Sequence, residues 1–273
     1  MTRPGIGILV ALAILVGCSA QDSEATVTST TARNTESSTT ASTGSASTTL
    51  GRSPMSVLVF HKTSGFRHEA ITAGVEALED LGADGGFEIT ATEDASIFSP
   101  DGLAPFRVIV FLNTTGDVLD PPQQSAMEEF ISSAKGFVGV HSAADTEYDW
   151  PWYGELVGAY FDSHPQPQDA LVEFVDPGAH PVTVGLGDQI ERFDEWYDFR
   201  QRPPSDATIL ALVDETTYEG GMMGEHPIVW AREVHGGRSV YIGFGHTPES
   251  FEEPAVRTLL DNAIRWVAAG EGG

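Results

Sequence analysis

Three short apolar runs limit what this chain can become. Ser56-Val57-Leu58-Val59-Phe60, Arg107-Val108-Ile109-Val110-Phe111-Leu112 and Gly136-Phe137-Val138-Gly139-Val140 are rich in strand-forming residues, and each stops on a polar residue: His61, Asn113 and His141. Runs of this length and character read as strands buried on both faces, the pattern of a parallel sheet. Phe87 to Thr92 alternates and adds another strand. Between them, Glu69 to Leu81 carries Ile71, Val75 and Leu78 at helical spacing and closes on Gly82, while Pro121 to Ala134 reads as a helix with proline near its start. Strand, helix, strand, strand, helix, strand predicts βαβ units: an α/β fold with a single doubly wound, mostly parallel sheet flanked by helices. Ligands of such sheets bind outside the carboxyl ends of the strands, so the polar strand ends are the first functional pointer.

The second half is less regular. Ala170 to Val175, Thr208 to Val213, Ile228 to Ala231 and Ser239 to Gly243 read as strands, and Glu253 to Ala269 as a final amphipathic helix. No internal repeat and no second domain boundary is visible, so residues 55–270 are expected to form one domain, long enough for one sizeable core.

Residues 1–18 have a different character. Arg3 precedes an apolar run from Ile6 to Val16, about the length of a signal-peptide core and short of the roughly 20 residues that span a bilayer. The run ends in Leu15-Val16-Gly17-Cys18, which matches the bacterial lipobox, whose cysteine is diacylated; an ordinary signal peptide that happens to hold a cysteine is the other reading. Two or three acyl chains on one residue would make a stable anchor where one would not. Residues 19–54 are mostly Ser, Thr, Ala and Gly and cannot bury enough apolar surface to offset their ordering entropy, so they are expected to be a disordered tether. The expectation is an exported protein, lipid-anchored through Cys18 to the extracytoplasmic face of the cell membrane. Cys18 is the only cysteine, so the domain can form no disulfide and use no thiol nucleophile.

Residues 1–54 balance Arg3, Arg33 and Arg52 against Asp22, Glu24 and Glu36, so the whole net charge of −26 falls on the domain. A polyanion excludes nucleic acid and anionic lipid as partners of its general surface.

Six of the eight histidines stand at strand ends or in motif-bearing loops: His61, His68, His141, His164, His226 and His246. Histidine can move a proton near neutral pH, bind a metal or hydrogen-bond a sugar hydroxyl, and any one of them can also be merely structural. His141 stands out because it ends a strand and lies four residues before Asp145. His141, Asp145, His164 and Glu195 are suitable ligands for a divalent metal, although no compact pattern such as His-Glu-x-x-His occurs. Trp150, Trp152, Tyr153, Trp196, Tyr197 and Trp230, many of them near Asp145, Asp149, Glu195 and Asp198, could stack on a pyranose ring or serve as packing. Arg67-His68, at the expected start of the first helix, could receive an anion, or Arg67 could pair with a carboxylate.

Taken in order, several clusters resemble the ThuA-like (trehalose-utilisation) family: Phe66-Arg67-His68, Asn113-Thr114-Thr115-Gly116-Asp117, Gly136 through Asp145, Trp152-Tyr153 with Gly158 and His164-Pro165, Glu195-Trp196-Tyr197, His226-Pro227 with Trp230, and Gly245-His246. The resemblance covers nearly the whole domain. It implies a class I glutamine-amidotransferase-like fold and an association with disaccharide and keto-sugar metabolism. An amidotransferase carries a cysteine on a sharp strand-to-helix elbow, but this chain has His141 there and Ala143 in place of the turn glycine, which argues against glutamine hydrolysis. Ser142 does not restore a Gly-x-Ser-x-Gly elbow.

The expected function is therefore action on a small-molecule carbohydrate, with a non-catalytic sugar-binding lipoprotein as the alternative. His141 and Asp145 are expected as an acid/base pair, with His164, Glu195 and His246 as further acid/base, hydroxyl-binding or metal-binding groups. Asn113 would orient substrate, Trp152 or Trp196 would stack on it, and His61, Arg67, His68, Tyr153 and His226 would complete the binding surface. No cofactor is certain from sequence; a divalent metal is compatible.

Overall fold

The computed structural model describes residues 54–270. Cys18 and nearly all of the expected tether lie outside the described residues. The first strands form where the apolar runs stand: β1 (Met55–Phe60), β2 (Phe87–Thr92), β3 (Val108–Leu112) and β4 (Gly136–Val140). They pair in the order β2-β1-β3-β4, all parallel, with β11 (Gly237–Ile242) parallel beside β4. Every residue of β3 and β4 is buried. Successive side chains leave opposite faces of a strand, and both faces are covered. Phe111 packs on Tyr153 of α4 (Pro151–Val157), while its neighbour Leu112 packs toward Gly74 of α1 (Ile71–Gly85).

Beyond β11 the sheet changes sense. β10 (His226–Val234), β9 (Thr208–Val213), β6 (Gln168–Phe174) and β7 (Gln189–Asp194) continue it antiparallel, giving one mixed nine-stranded sheet. The reason is connection length. Two residues, His235 and Gly236, join β10 to β11, enough for a hairpin, whereas a parallel neighbour needs a crossover. β5 (Phe161–Ser163) and β8 (Asp198–Phe199) form a separate small ribbon. The remaining helices are α2 (Pro100–Leu103), α3 (Pro121–Ser132) and α5 (Pro254–Ala269).

Two element ends are instructive. Asp120 and Gln123 exchange hydrogen bonds in a capping box that starts α3. Gly82, read from sequence as a helix stop, lies inside α1, which runs on to Gly85 and closes on left-handed Gly86. Its missing side chain serves packing: a Cβ there would stand 2.7 Å from the Phe87 carbonyl. Among the described residues no helix is long and apolar enough to cross a membrane.

Candidate functional site

The parallel strands deliver their polar ends to one place. β4 stops at Val140, and His141 follows with φ 48°, turning at once into a short 3-10 helix, His141–Asp145. Asn113, just after β3, is likewise left-handed with φ 50°. Left-handed backbone costs a residue with a side chain about 1–2 kcal/mol, and strain of this kind concentrates at functional sites. His141 thus occupies the sharp strand-to-helix elbow.

Around it the chain gathers Glu195 and three further histidines. Glu195 Oε2 lies 3.4 Å from His141 Nε2 and 3.1 Å from His246 Nδ1, while Oε1 lies 3.1 Å from His164 Nδ1. The His68 ring stands edge-on to His141 and His246, with centroids 4.9 and 5.2 Å away. His68, His141 and Glu195 are buried; His164 and His246 are partly open and form the mouth. Phe66, 66% exposed, stands beside His68 at 4.9 Å between centroids. A cavity of about 660 Å³ opens elsewhere, among Met55, Phe87, Arg107 and Arg265, and contains none of these residues.

A buried aspartate braces the arrangement. Asp194 accepts hydrogen bonds from the backbone N–H groups of Glu195, Gly245 and His246 at 2.8, 2.9 and 3.1 Å. It also pairs with buried Arg192 at 2.6 Å, and Arg192 in turn holds Glu253. Asn113 donates from Nδ2 to the Gly245 carbonyl, and His141 donates from Nδ1 to the Gly243 carbonyl. The backbone of the loops carrying Glu195 and His246 is thereby fixed from below.

The electrostatics follow from this packing. Burial, reinforced by neighbouring His141 and His246, pushes His68 down to about 3. Burial would raise Glu195, but the adjacent His141 and His246 imidazoles outweigh it and hold the carboxyl well below its usual range. Burial would lower His246, but the adjacent Glu195 carboxylate raises it. Burial raises Asp145, against a 2.7 Å hydrogen bond from the Tyr148 hydroxyl. A carboxylate among imidazoles of unequal proton affinity can hold and pass a proton, or bind a cation. One ligand atom each from His68, His141, Glu195 and His246 lies within 4.8 Å of all the others, and the same holds for Asp198, Glu215 and His226.

Of the residues expected from sequence, the structure brings His68, His141, His164, Glu195 and His246 together, with Asn113 supporting them. Asp145 shares the turn with His141 but makes no ion pair with it; the carboxylate facing His141 is Glu195. Other residues stand elsewhere. Arg67 pairs with Glu93 at 2.6 Å, as does His61 at 3.2 Å, so Arg67 is held by a carboxylate and not free for an anion. His226 is buried between the Tyr218 hydroxyl, Glu215 and the Tyr197 carbonyl. The aromatic set is mostly packing. Tyr153 and Trp196 are fully buried, donating to the Ala143 and Gln168 carbonyls, and Trp152 stacks on Trp150 and His235 away from the cluster. The rings that do face the histidines are Phe66, Phe161 and Tyr197, the last 4.3 Å from His141 between centroids. Asp194 was not foreseen; its only sequence signal is adjacency to Glu195.

With this geometry in place, comparison with known proteins is decisive at the family level. The ThuA family model, described as trehalose utilisation, matches residues 56–267. The chain belongs to the ThuA family. Among solved structures, a ThuA-like protein from Bacteroides uniformis is 27% identical with TM-score 0.69, covering 80% of this chain and 94% of that one. One from Parabacteroides merdae is 20% identical with TM-score 0.67, covering 79% and 90%. A cytoplasmic protein from Salmonella typhimurium shares the fold at 16% identity and TM-score 0.58, covering 77% and 98%. No curated protein matches in sequence. The ThuA domain has the glutamine-amidotransferase-like α/β fold.

Proposed function

We propose that this ThuA-like domain acts on a carbohydrate, a disaccharide or keto-sugar, by histidine and carboxylate acid-base chemistry, and that it does so anchored at the cell surface through lipid on Cys18. The observation that carries the chemistry is the convergence of His141, His164 and His246 on the single carboxylate of Glu195 at the carboxyl ends of the parallel strands. Acid-base work needs groups in direct hydrogen-bond reach or one water away. His141 is oriented for it: Nδ1 is committed to a carbonyl, leaving Nε2 toward Glu195. His164, at the open side of Glu195, is placed to exchange protons with substrate. The sugar class comes from the family description, trehalose utilisation. Glutamine hydrolysis is not proposed, because the elbow carries His141 and the domain contains no cysteine.

The test is turnover of a panel of disaccharides and keto-sugars by the full chain and by His141→Ala. A fall in kcat/KM of about 10²–10⁴-fold, the usual worth of a general acid or base, supports the reading. No turnover of any sugar by the parent chain, with sugar binding that survives the substitution, would make it a binding protein instead. Anchoring is tested separately: Cys18→Ala should leave the membrane fraction or accumulate as uncleaved precursor, and persistence of processed protein at the membrane would refute lipid attachment.

A further inference from the structure

His141 and Glu195 meet in a way that hydrogen bonding within the protein leaves incomplete. The Gly243 carbonyl, 3.0 Å from His141 Nδ1, can only accept, so Nδ1 carries a proton and neutral His141 presents a lone pair at Nε2. Nε2 is buried, has no hydrogen-bond partner, and stands 3.4 Å from a carboxylate oxygen, another acceptor. His246 repeats the pattern: its Nδ1 is buried without a hydrogen-bond partner and lies 3.1 Å from the same oxygen. Two imidazole nitrogens and a carboxylate oxygen thus converge with no hydrogen bond joining them.

Among the described residues, the ion-pair partners of Glu195 are imidazoles only, with no ammonium or guanidinium among them. A buried carboxylate left without a cation is costly. His68 supplies a third imidazole, and one atom from each of the four residues lies within 4.8 Å of all the others. In a tetrahedral zinc site with arms of about 2.0–2.1 Å, ligand atoms stand about 3.4 Å apart, which the 3.4 and 3.1 Å separations already approach.

The surroundings also suit a metal. Ligating histidines typically commit their other nitrogen to a carbonyl or similar partner; His141 does so with Gly243, and His68 Nδ1 shares a 3.3 Å hydrogen bond with Ser142. Asp194 fixes the backbone N–H groups of Glu195 and His246. We propose that His68, His141, His246 and Glu195 bind one divalent transition-metal ion of the zinc class. Three imidazoles and one carboxylate favour such an ion over the oxygen-seeking magnesium and calcium. The second group, Asp198, Glu215 and His226, is not a comparable site, because its carboxylates already accept from the backbone N–H groups of Met222, Met223 and Gly224. His164 lies outside the four and faces the solvent side of Glu195.

The site rests on the cluster invoked for sugar chemistry, so its test reads metal and not turnover. The full chain, stripped with chelator and dialysed, is titrated with Zn²⁺ and separately with Co²⁺, following heat of binding, metal content by mass spectrometry and the visible bands of cobalt. One equivalent per chain is expected, with intense cobalt bands of tetrahedral type. Glu195→Gln and His246→Ala should each weaken binding at least about 100-fold, as even loss of an outer partner can cost 10–100-fold. His246 is at the partly open mouth, so this variant should keep the parent's circular dichroism and melting curve; His164→Ala and Glu215→Gln should bind as the parent does. Absence of stoichiometric binding, binding that survives both Glu195→Gln and His246→Ala, or binding abolished by Glu215→Gln would overturn the proposal. Metal bound without sugar turnover would leave the site standing and remove the sugar reading; sugar turnover by a chain that takes up no metal in the titration would do the reverse.

Discussion

Glu195 and Glu215 are both glutamates in contact with histidine, in adjacent regions of the same domain, yet they are held differently. Glu215 accepts from the backbone N–H groups of Met223 and Gly224 at 2.7 and 3.0 Å, and its contact with His226 lies in a chain of bonds that also includes Tyr218 and the Tyr197 carbonyl. Its oxygens stitch a loop together. Glu195 has its backbone N–H pinned by Asp194, while its side-chain oxygens face imidazoles alone. Bonds to backbone amides use a carboxylate for structure; a carboxylate facing only titratable rings is left available to a proton, a cation or a substrate. The residue type is the same and Glu215 is only somewhat more open than Glu195, so it is the partners that distinguish them.

This contrast can be broken by experiment. The largest expected effect is on turnover: Glu195→Gln should lower kcat/KM about 10²–10⁴-fold, while Glu215→Gln leaves it unchanged, and equal losses in steady-state assays would erase the distinction. Next is Arg192→Ala, which strips buried Asp194 of its cation and should cost about 3–5 kcal/mol in denaturant unfolding. A cost near zero would show that the amide donors alone satisfy Asp194. Glu215→Ala should cost about 1 kcal/mol of stability through its lost loop bonds, with the parent kcat retained; altered kcat would place the second region in the chemistry. The smallest effect is Phe66→Ala. The ring is exposed, so melting should move by no more than about 0.5 kcal/mol. If this ring is the sugar platform, KM rises while kcat holds, and an unchanged KM removes it from the binding surface.

The strands that carry His141 and Asn113 were legible because burial on both faces demands unbroken apolar runs. β7 was not, for a related reason. It is an edge strand whose buried positions are Arg192 and Asp194, whereas Phe193 between them is 47% exposed. Its hydrophobic pattern is therefore inverted, and no local pattern marks the residues that brace the cluster. The aromatic residues misled in the opposite direction. Trp196 lies next to Glu195 in sequence, but it is fully buried with its ring nitrogen donating to the Gln168 carbonyl, because a large apolar ring gains more from the core than from solvent. Tyr197, one residue further, is the ring that reaches His141.

By itself, the sequence determined the parallel half of the sheet, the strand ends that would carry polar residues, and the absence of a thiol from the domain, since these depend on local periodicity and composition. Its pattern of motifs also pointed to the family. Only the tertiary structure decided which histidines would share a carboxylate. His68 precedes α1, His141 follows β4, His164 follows β5, Glu195 follows β7 and His246 follows β11. Their meeting depends on parallel crossovers and on Asp194 joining the loop after β7 to the loop after β11. Those contacts are non-local, and nothing in the spacing of five residues along a chain encodes the distance between them once it has folded.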